Sequence, residues 1–255
     1  MDLFYTLSGF LVGALVGVTG VGGGSLMTPL LVLVFGISPT VAVGTDLLYA
    51  GITKSGGVWM HARRGGVAWA LVGRLASGSV PASLITLAAF HWLAFDPKQL
   101  SALMSTTLGF ALVLTAVALL FKEKLLRWSR ARRTTSARPA PWMVVAAGAL
   151  LGALVTVSSV GAGALGVAAL MLLSPGLAAS RLVGTDIAHA VPLTLVAGLG
   201  HAAGGSVDWG LLGSLVVGSL PGIALGSSLS HKLPEPLLRK LLALMLALIG
   251  GRLAW

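Results

Sequence analysis

The sequence lacks cysteine and is poor in charged side chains, and each deficit excludes classes of protein. Without cysteine, the chain can form no disulfide, thiol nucleophile or cysteine-based metal site. Charged residues make up only 9% of the chain, whereas an average soluble protein has roughly 25%. Acidic residues are the scarcest, with 7 Asp and Glu against 17 Lys and Arg. This shortage of charge argues against an ordinary soluble domain.

Apolar sequence takes the place of the missing charge. Hydrophobic residues make up 56% of the chain, and their runs are long enough to cross a hydrocarbon core of about 30 Å as helices. The opening MDLFYTLSGFLVG has no basic start and no small-residue cleavage site, so it is interpreted as a first membrane helix. The pattern predicts an all-α, multi-pass integral membrane protein with about 8–10 membrane segments.

The net charge of +10 comes largely from one segment. Seven of the 17 basic residues lie between Lys122 and Arg138, which is typical of a cytoplasmic loop under the positive-inside rule. We therefore expect no nucleic-acid partner. The basic segment, residues 122–141, is predicted to connect a first membrane repeat, 1–121, to a second, 142–255.

Two halves of the chain repeat the same strings. VGTD occurs at 43–46 and at 183–186, and a His-x-x-x-Gly-x-Val-x-Trp pattern begins at His61 and, in the form HAAGGSVDW, at His201. The later strings align at a constant offset of 140 residues. Such a run indicates an internal duplication, which is typical of transporters built from two repeats.

A glycine-rich break interrupts the first apolar stretch of each copy. GVTGVGGGS contains Gly22, Gly23 and Gly24, and VSSVGAGAL contains Gly161 and Gly163. Glycine is a poor helix interior, and a broken helix presents backbone N–H groups and a partial positive charge. Close packing of helices through small residues is the alternative explanation. Because the break recurs at matched positions, we favour a binding site for a small anion.

The paired VGTD strings bring a carboxylate into each copy. Asp46 and Asp186 lie near the starts of apolar spans, where a charge costs roughly 2.5–3.5 kcal/mol and rarely faces lipid. They are candidates for carrying a proton or binding a cation, or else Thr45 or Asp46 is a helix N-cap. The hydroxyls of Thr45 and Thr185 either donate to an anion or bond their own helix.

Two further polar residues lie deep in apolar sequence. Lys54 follows Asp46 by two turns and either faces an anionic substrate, pairs with Asp46, or extends to the membrane surface. His189 is a proton-relay candidate. His61 and His201 are too isolated to predict a metal site. We find no nucleotide, nucleophile or zinc motif, so we expect neither a cofactor nor an enzyme.

Five apolar segments in each copy predict that the copies are inverted in the membrane. The loop with Arg63 and Arg64 has Ala203 and Gly204 in its place in copy two. Loss of the arginine pair is expected if that second loop lies outside the cell. The alternative is that the glycine-broken pairs are re-entrant and the repeats parallel.

The motifs resemble those of the TauE/SafE family of membrane permeases over nearly the whole chain except the basic segment. They are the glycine break, the AVGTD string, His61-x-x-x-Gly65-x-Val67-x-Trp69 and Gly78-Ser79-x-Pro81, with second copies such as Gly218-Ser219-x-Pro221. The resemblance implies movement of sulfite, sulfonates or related small organic anions across the bacterial cytoplasmic membrane. Asp46 and Asp186 stand where many members carry serine.

These observations predict a secondary transporter of a small sulfur-containing or carboxylate anion, with proton coupling as one option. Gly22, Gly23, Gly24, Gly161 and Gly163 would bind the anion together with Thr45, Lys54 and Thr185, and Asp46, Asp186 and His189 would couple protons. An uncoupled anion channel and a non-transport membrane assembly factor are the alternatives. The expected partners are the anion and the lipid bilayer, and a homodimer is left open.

Overall fold

The computed structural model describes residues 2–19, 24–93, 95–131, 140–229 and 235–254. Within these ranges the chain forms ten helices and no strand. The helices are α1 (Leu3–Thr19), α2 (Gly24–Leu33), α3 (Pro39–Arg63), α4 (Trp69–Trp92), α5 (Pro97–Ala131), α6 (Pro141–Ser158), α7 (Ala164–Leu173), α8 (Ala179–Ala203), α9 (Trp209–Leu229) and α10 (Glu235–Ala254). The prediction of an all-helical chain is confirmed.

Five of the described helices are long and apolar enough to cross a membrane. They are α4, α5 as far as Ser129, α6, α8 and α9, while α1 and α7 are shorter apolar helices. Outward-facing apolar side chains, such as Leu150 at 75% and Ile85 at 69% exposure, provide a surface suited to lipid. The multi-pass prediction is therefore confirmed, and the total of 8–10 segments stays a prediction.

The two copies end their equivalent helices with the same turn. After α3, the Gly65 N–H donates to the Ala62 carbonyl at 3.0 Å, and Gly65 has φ +63°. After α8, the Gly205 N–H donates to the Ala202 carbonyl at 3.0 Å, and Gly205 has φ +73°. Glycine adopts this left-handed conformation without strain. The duplication read from the sequence is thus repeated in the backbone.

The first helix of each copy packs against the fourth helix of the other copy. Helix α1 lies along α9, and α6 lies along α4. Gly13 faces the backbone of Ser219, and Gly152 faces the backbone of Ser79, each so closely that an added Cβ would overlap it. Small residues allow helices in lipid to approach this closely. The copies therefore interlock through exchanged helix pairs.

Equivalent helices of the two copies cross in opposite directions. Along the α3–α8 contact, Gly44 lies against His201, Gly51 against Leu195 and Gly57 against Ile187. Helices α5 and α10 run likewise, since Gly109 faces Ala254 near one end of their contact and Glu123 pairs with Arg239 near the other. This order supports the inverted arrangement, whose orientation in the membrane stays a prediction.

The largest apolar cluster is also shared between the copies. Leu31, Leu108 and Leu112 from copy one pack with Leu215 and Leu246 from copy two. Because the buried core crosses from one copy to the other, the two repeats form one packed unit.

The basic segment is more helical than its sequence predicts. Residues 122–131, expected in the connector, continue α5 to Ala131. Lysine, leucine and arginine are good helix formers, and the buried hydroxyl of Ser129 accepts from the Gly176 N–H at 3.4 Å. Of the rest of the connector, residues 132–139 lie outside the described residues, and Pro141 already begins α6.

Candidate functional site

Asp46 is a fully buried carboxylate that joins three parts of the fold. Its Oδ2 accepts hydrogen bonds from the Thr28 hydroxyl on α2 and from the Ser159 hydroxyl, at 2.9 Å, just after α6. Asp46 is the eighth residue of α3, which begins at Pro39. The alternative that Thr45 or Asp46 is an N-cap is therefore wrong, because the helix begins two turns earlier.

The break between α6 and α7 has a backbone that suits glycine. Ser159 ends α6 in the left-handed conformation with φ +58°, and Gly161 and Gly163 have φ +125° and +150°. L side chains rarely adopt these angles. The glycine break predicted in copy two is thus confirmed, with Gly163 at the N-cap position of α7. In copy one, Gly24 begins α2, whereas Gly22 and Gly23 lie outside the described residues.

Lys54 reaches from copy one into this break of copy two. Its Nζ donates to the Ala162 carbonyl at 2.6 Å, and the side chain is only partly buried. Lys54 is therefore directed into the protein and not toward the membrane surface beside Arg63. The Arg63 guanidinium instead lies 4.2 Å from the ring centroid of Trp59. Its ammonium also attracts the carboxylates of Asp186 and Asp46.

Asp186 lies on α8 beside the start of α7. It is 2% exposed, and its Oδ1 has no hydrogen-bond partner within the described part of the chain. A Cβ on Gly166, in the first turn of α7, would overlap this oxygen. Only a residue without a side chain leaves room there for the carboxylate.

His189 lies one turn after Asp186 and is also buried. Its Nε2 is 2.8 Å from the hydroxyl of Ser79 on α4, while its Nδ1 has no partner among the described residues. Copy one has Tyr49 at the equivalent position, beside Ser219, the counterpart of Ser79. The duplication therefore preserves the serine but exchanges a histidine for a tyrosine.

The two threonines of the VGTD strings contact loops of the opposite copy. Thr45 Oγ1 accepts from the Asp208 N–H at 3.1 Å, and Thr185 Oγ1 accepts from the Ala68 N–H at 2.9 Å. Within the described residues, neither hydroxyl bonds a carbonyl of its own helix, which was the alternative expectation. Each hydroxyl retains a proton to donate, so their role as anion ligands stays a prediction.

The structure thus brings Lys54, Asp46, Asp186 and the α6–α7 break together, with His189 beside them, and places the threonines at the two loops. Sequence reasoning missed Thr28, Ser159 and Ser79 as partners of these groups. The repeat of Ser79 as Ser219 was a usable signal, because both belong to the duplicated Gly-Ser-x-Pro string. Thr28 has no such repeat.

The described residues of this site do not form an obvious metal-binding group. Over the described ranges, no group of three or more His, Asp or Glu side chains is arranged to hold a metal ion. The polar centre consists instead of one ammonium, two carboxylates, hydroxyls and the backbone of a helix break.

Comparison with known proteins places this geometry in context. The family model described as "Sulfite exporter TauE/SafE" matches residues 5–253. A "Probable membrane transporter protein YjnA" of Bacillus subtilis (strain 168) is 39% identical over 241 residues, which cover 93% of this chain and 94% of the relative.

More distant relatives carry similar names. YdhB of the same organism, also a "Probable membrane transporter protein", is 28% identical over 245 residues, covering 94% of this chain and 95% of the relative. A "Probable membrane transporter protein" of Xylella fastidiosa (strain Temecula1 / ATCC 700964) is 27% identical over 259 residues, covering 97% and 93%. No solved structure matches the chain significantly.

Proposed function

The chain belongs to the sulfite exporter TauE/SafE family of membrane transporters, and from this premise we propose that it is a secondary transporter of a small sulfur-containing anion. Sulfite, a sulfonate or a related organic anion is the proposed substrate, and the bacterial cytoplasmic membrane is the proposed location. The relatives named above are named as transporters, and none of those names describes an enzyme.

One observation carries this proposal, namely the position of Lys54 at the helix break. Its ammonium is bonded to the backbone carbonyl of Ala162 and lies in a partly buried place just before α7 begins. The N-terminus of a helix favours negative charge because its first N–H groups lack partners. An ammonium beside such a helix start is suited to a small anion, which would take the place of the Ala162 carbonyl on Lys54.

The packing of the first helix of each copy against the fourth helix of the other supports an alternating-access mechanism. Repeats of opposite direction place a binding site at their interface, and rocking of one part against the other opens it to either side. Equivalent helices that cross in opposite directions and pack through glycine are suited to such sliding. Proton coupling, for which Asp46, Asp186 and His189 are the candidate residues, is the further element of the proposal.

The test is anion flux in proteoliposomes containing the purified protein. Sulfite, thiosulfate, sulfoacetate, taurine, sulfate and chloride are compared with and without an imposed pH gradient. Saturable flux of one sulfur anion is expected. Flux that only follows the electrochemical gradient, at rates far above those of carriers, would contradict a carrier and favour the channel alternative.

Substitution of Lys54 makes the test specific to the site. Lys54→Gln removes a charge-assisted hydrogen bond worth about 1.5–3 kcal/mol, so we expect the apparent affinity for the anion to fall about 10- to 100-fold. Lys240→Gln makes the same chemical change at an exposed position of α10 and is the control. Equal loss in both variants would argue against Lys54 as the anion site.

A further inference from the structure

We propose that the two equivalent aspartates have different tasks: Asp186 carries the coupling proton, and Asp46 is a positioning residue that holds the helix break of the other copy. This inference rests on the proposed transport function and assigns its coupling to one side of the polar centre. The argument starts from the contacts of each carboxylate.

Asp46 is anchored by its hydrogen bonds. Its Oδ2 accepts from two hydroxyls, those of Thr28 and Ser159, which belong to different copies. Because Ser159 is the residue at which α6 ends, this carboxylate fixes one edge of the α6–α7 break. Lys54, two turns further along α3, fixes the other edge through Ala162. Asp46 thus has a structural task that protonation would weaken.

Asp186 has no comparable anchor. The Oδ1 atoms of Asp46 and Asp186 both lack a partner, but within the described residues Asp186 has no hydrogen bond to its Oδ2 either, and the attraction of Lys54 is the stabilising interaction that remains to it. An uncompensated carboxylate in a buried place is strongly destabilising. Asp186 is therefore stable as an anion only while Lys54 remains available to it.

The spacing of the two helices places Lys54 nearer to Asp186 than to Asp46. Ile187 packs against Gly57, three residues after Lys54, so Asp186 lies about one turn from Lys54 along the helix pair. Asp46 lies about two turns away on the other side. An anion that binds Lys54 consequently competes first with Asp186.

The competition couples the anion to a proton. When the anion occupies Lys54, Asp186 loses its counter-charge and takes a proton from water on the open side, forming an O–H bond at a carboxylate oxygen. When the anion leaves, that bond breaks, the proton returns to water and the carboxylate pairs with Lys54 again. One anion and one proton then move together, so the carrier is a symporter.

Among the groups packed around Asp186, Lys54 is the charged side chain that acts on its carboxylate. From α3 the titratable groups are Lys54 and His61, and the His61 ring lies beside Gly184, half a turn before Asp186. From α7 the carboxylate meets the backbone of Gly166. From α4 the polar group is Ser79, which is bonded to His189.

His189 completes the difference between the two copies. Its Nδ1 has no partner in the described structure and lies on the same helix, one turn from Asp186. In copy one the equivalent residue is Tyr49, and a phenol does not ordinarily take up or release a net proton near neutral pH. A side chain that can accept a proton therefore lies one turn from Asp186, where the other copy has a phenol.

The experiment compares Asp186→Asn with Asp46→Asn in the same proteoliposomes. An acidic exterior is imposed, and uphill accumulation of the transported anion is measured together with its downhill flux. For Asp186→Asn, we expect accumulation to fall to equilibrium while downhill flux persists. For Asp46→Asn, whose amide oxygen can still accept from Thr28 and Ser159, we expect a lower thermal midpoint and slower flux, while the anion still accumulates above equilibrium.

A second measurement reports the proton directly. Addition of the transported anion should produce an infrared carbonyl band of a protonated carboxylic acid, absent in Asp186→Asn and present in Asp46→Asn. Retained accumulation in Asp186→Asn, or loss of the band in Asp46→Asn, would overturn the inference alone. No flux of any tested anion by the wild-type protein would overturn the proposed function and this inference with it.

Discussion

At the scale of single residues, the glycines of the VGTD strings make close backbone contacts between the copies. Gly44 lies against the Ser206 carbonyl, and Gly184 lies against the Gly66 carbonyl and the His61 ring. The neighbouring threonines accept hydrogen bonds from the same loops. Each Gly-Thr pair therefore locks one copy onto the loop that follows the equivalent helix of the other.

Replacement of Gly184 by alanine should weaken this lock. The new methyl group would overlap the Gly66 carbonyl, and backbone yields poorly, so we expect a loss of about 1–3 kcal/mol. The measurement is the midpoint of thermal unfolding in detergent. Gly73→Ala is the control, because nothing lies within 4 Å of its added Cβ. An unchanged midpoint for Gly184→Ala would mean that the two backbones are not in contact.

At the scale of elements, hydrogen bonds from α3 stabilise both edges of the α6–α7 break. Ser159 supplies the left-handed residue that ends α6 and also the hydroxyl that Asp46 accepts. Lys54 holds the Ala162 carbonyl three residues later. The break is thereby fixed to α3 of the other copy, so movement of α3 is transmitted to the start of α7.

Two substitutions of Ser159 separate its backbone and side-chain tasks. Both Ser159→Gly and Ser159→Ala lose the hydroxyl, but only alanine keeps the cost of the left-handed conformation. We expect the alanine variant to be less stable than the glycine variant by about 1 kcal/mol. Thermal midpoints of the two purified variants test this. Equal midpoints would show that the backbone at this position relaxes.

Sequence patterns were informative where they were repeated or periodic. The copy-two break followed from VSSVGAGAL, because glycine clusters interrupt helices wherever they occur. The extension of α5 to Ala131 was missed, since charge alone suggested a loop while contacts with α10 and Gly176 favour helix. The Asp46–Thr28–Ser159 contact was also missed, because tertiary packing joins residues that share no string.

At the scale of the whole molecule, the two copies interlock in opposite directions. Helix α1 lies on α9, α6 lies on α4, and the α3–α8 and α5–α10 pairs cross antiparallel. A pseudo-two-fold axis in the membrane plane relates inverted repeats in transporters. The antiparallel α3–α8 and α5–α10 pairs are compatible with such an axis, and the inverted arrangement stays a prediction.

Single cysteines introduced into the cysteine-free chain test this orientation. Arg64→Cys and Ala203→Cys place a thiol at equivalent exposed turns after α3 and α8. If the copies are inverted, a membrane-impermeant maleimide should label Ala203→Cys in intact cells and Arg64→Cys only after permeabilisation. Labelling of both from the same side would contradict inversion.

The exchanged pairing also has a consequence for biosynthesis. Helix α1 is made about 190 residues before its partner α9, and at roughly 5–20 residues per second it waits about 10–40 s for that partner. During this interval the glycine face of α1 is open to lipid or to another nascent chain. Before duplication, a single copy had to obtain its partner helix from a second polypeptide, so the ancestral protein is expected to have been an interlocked dimer.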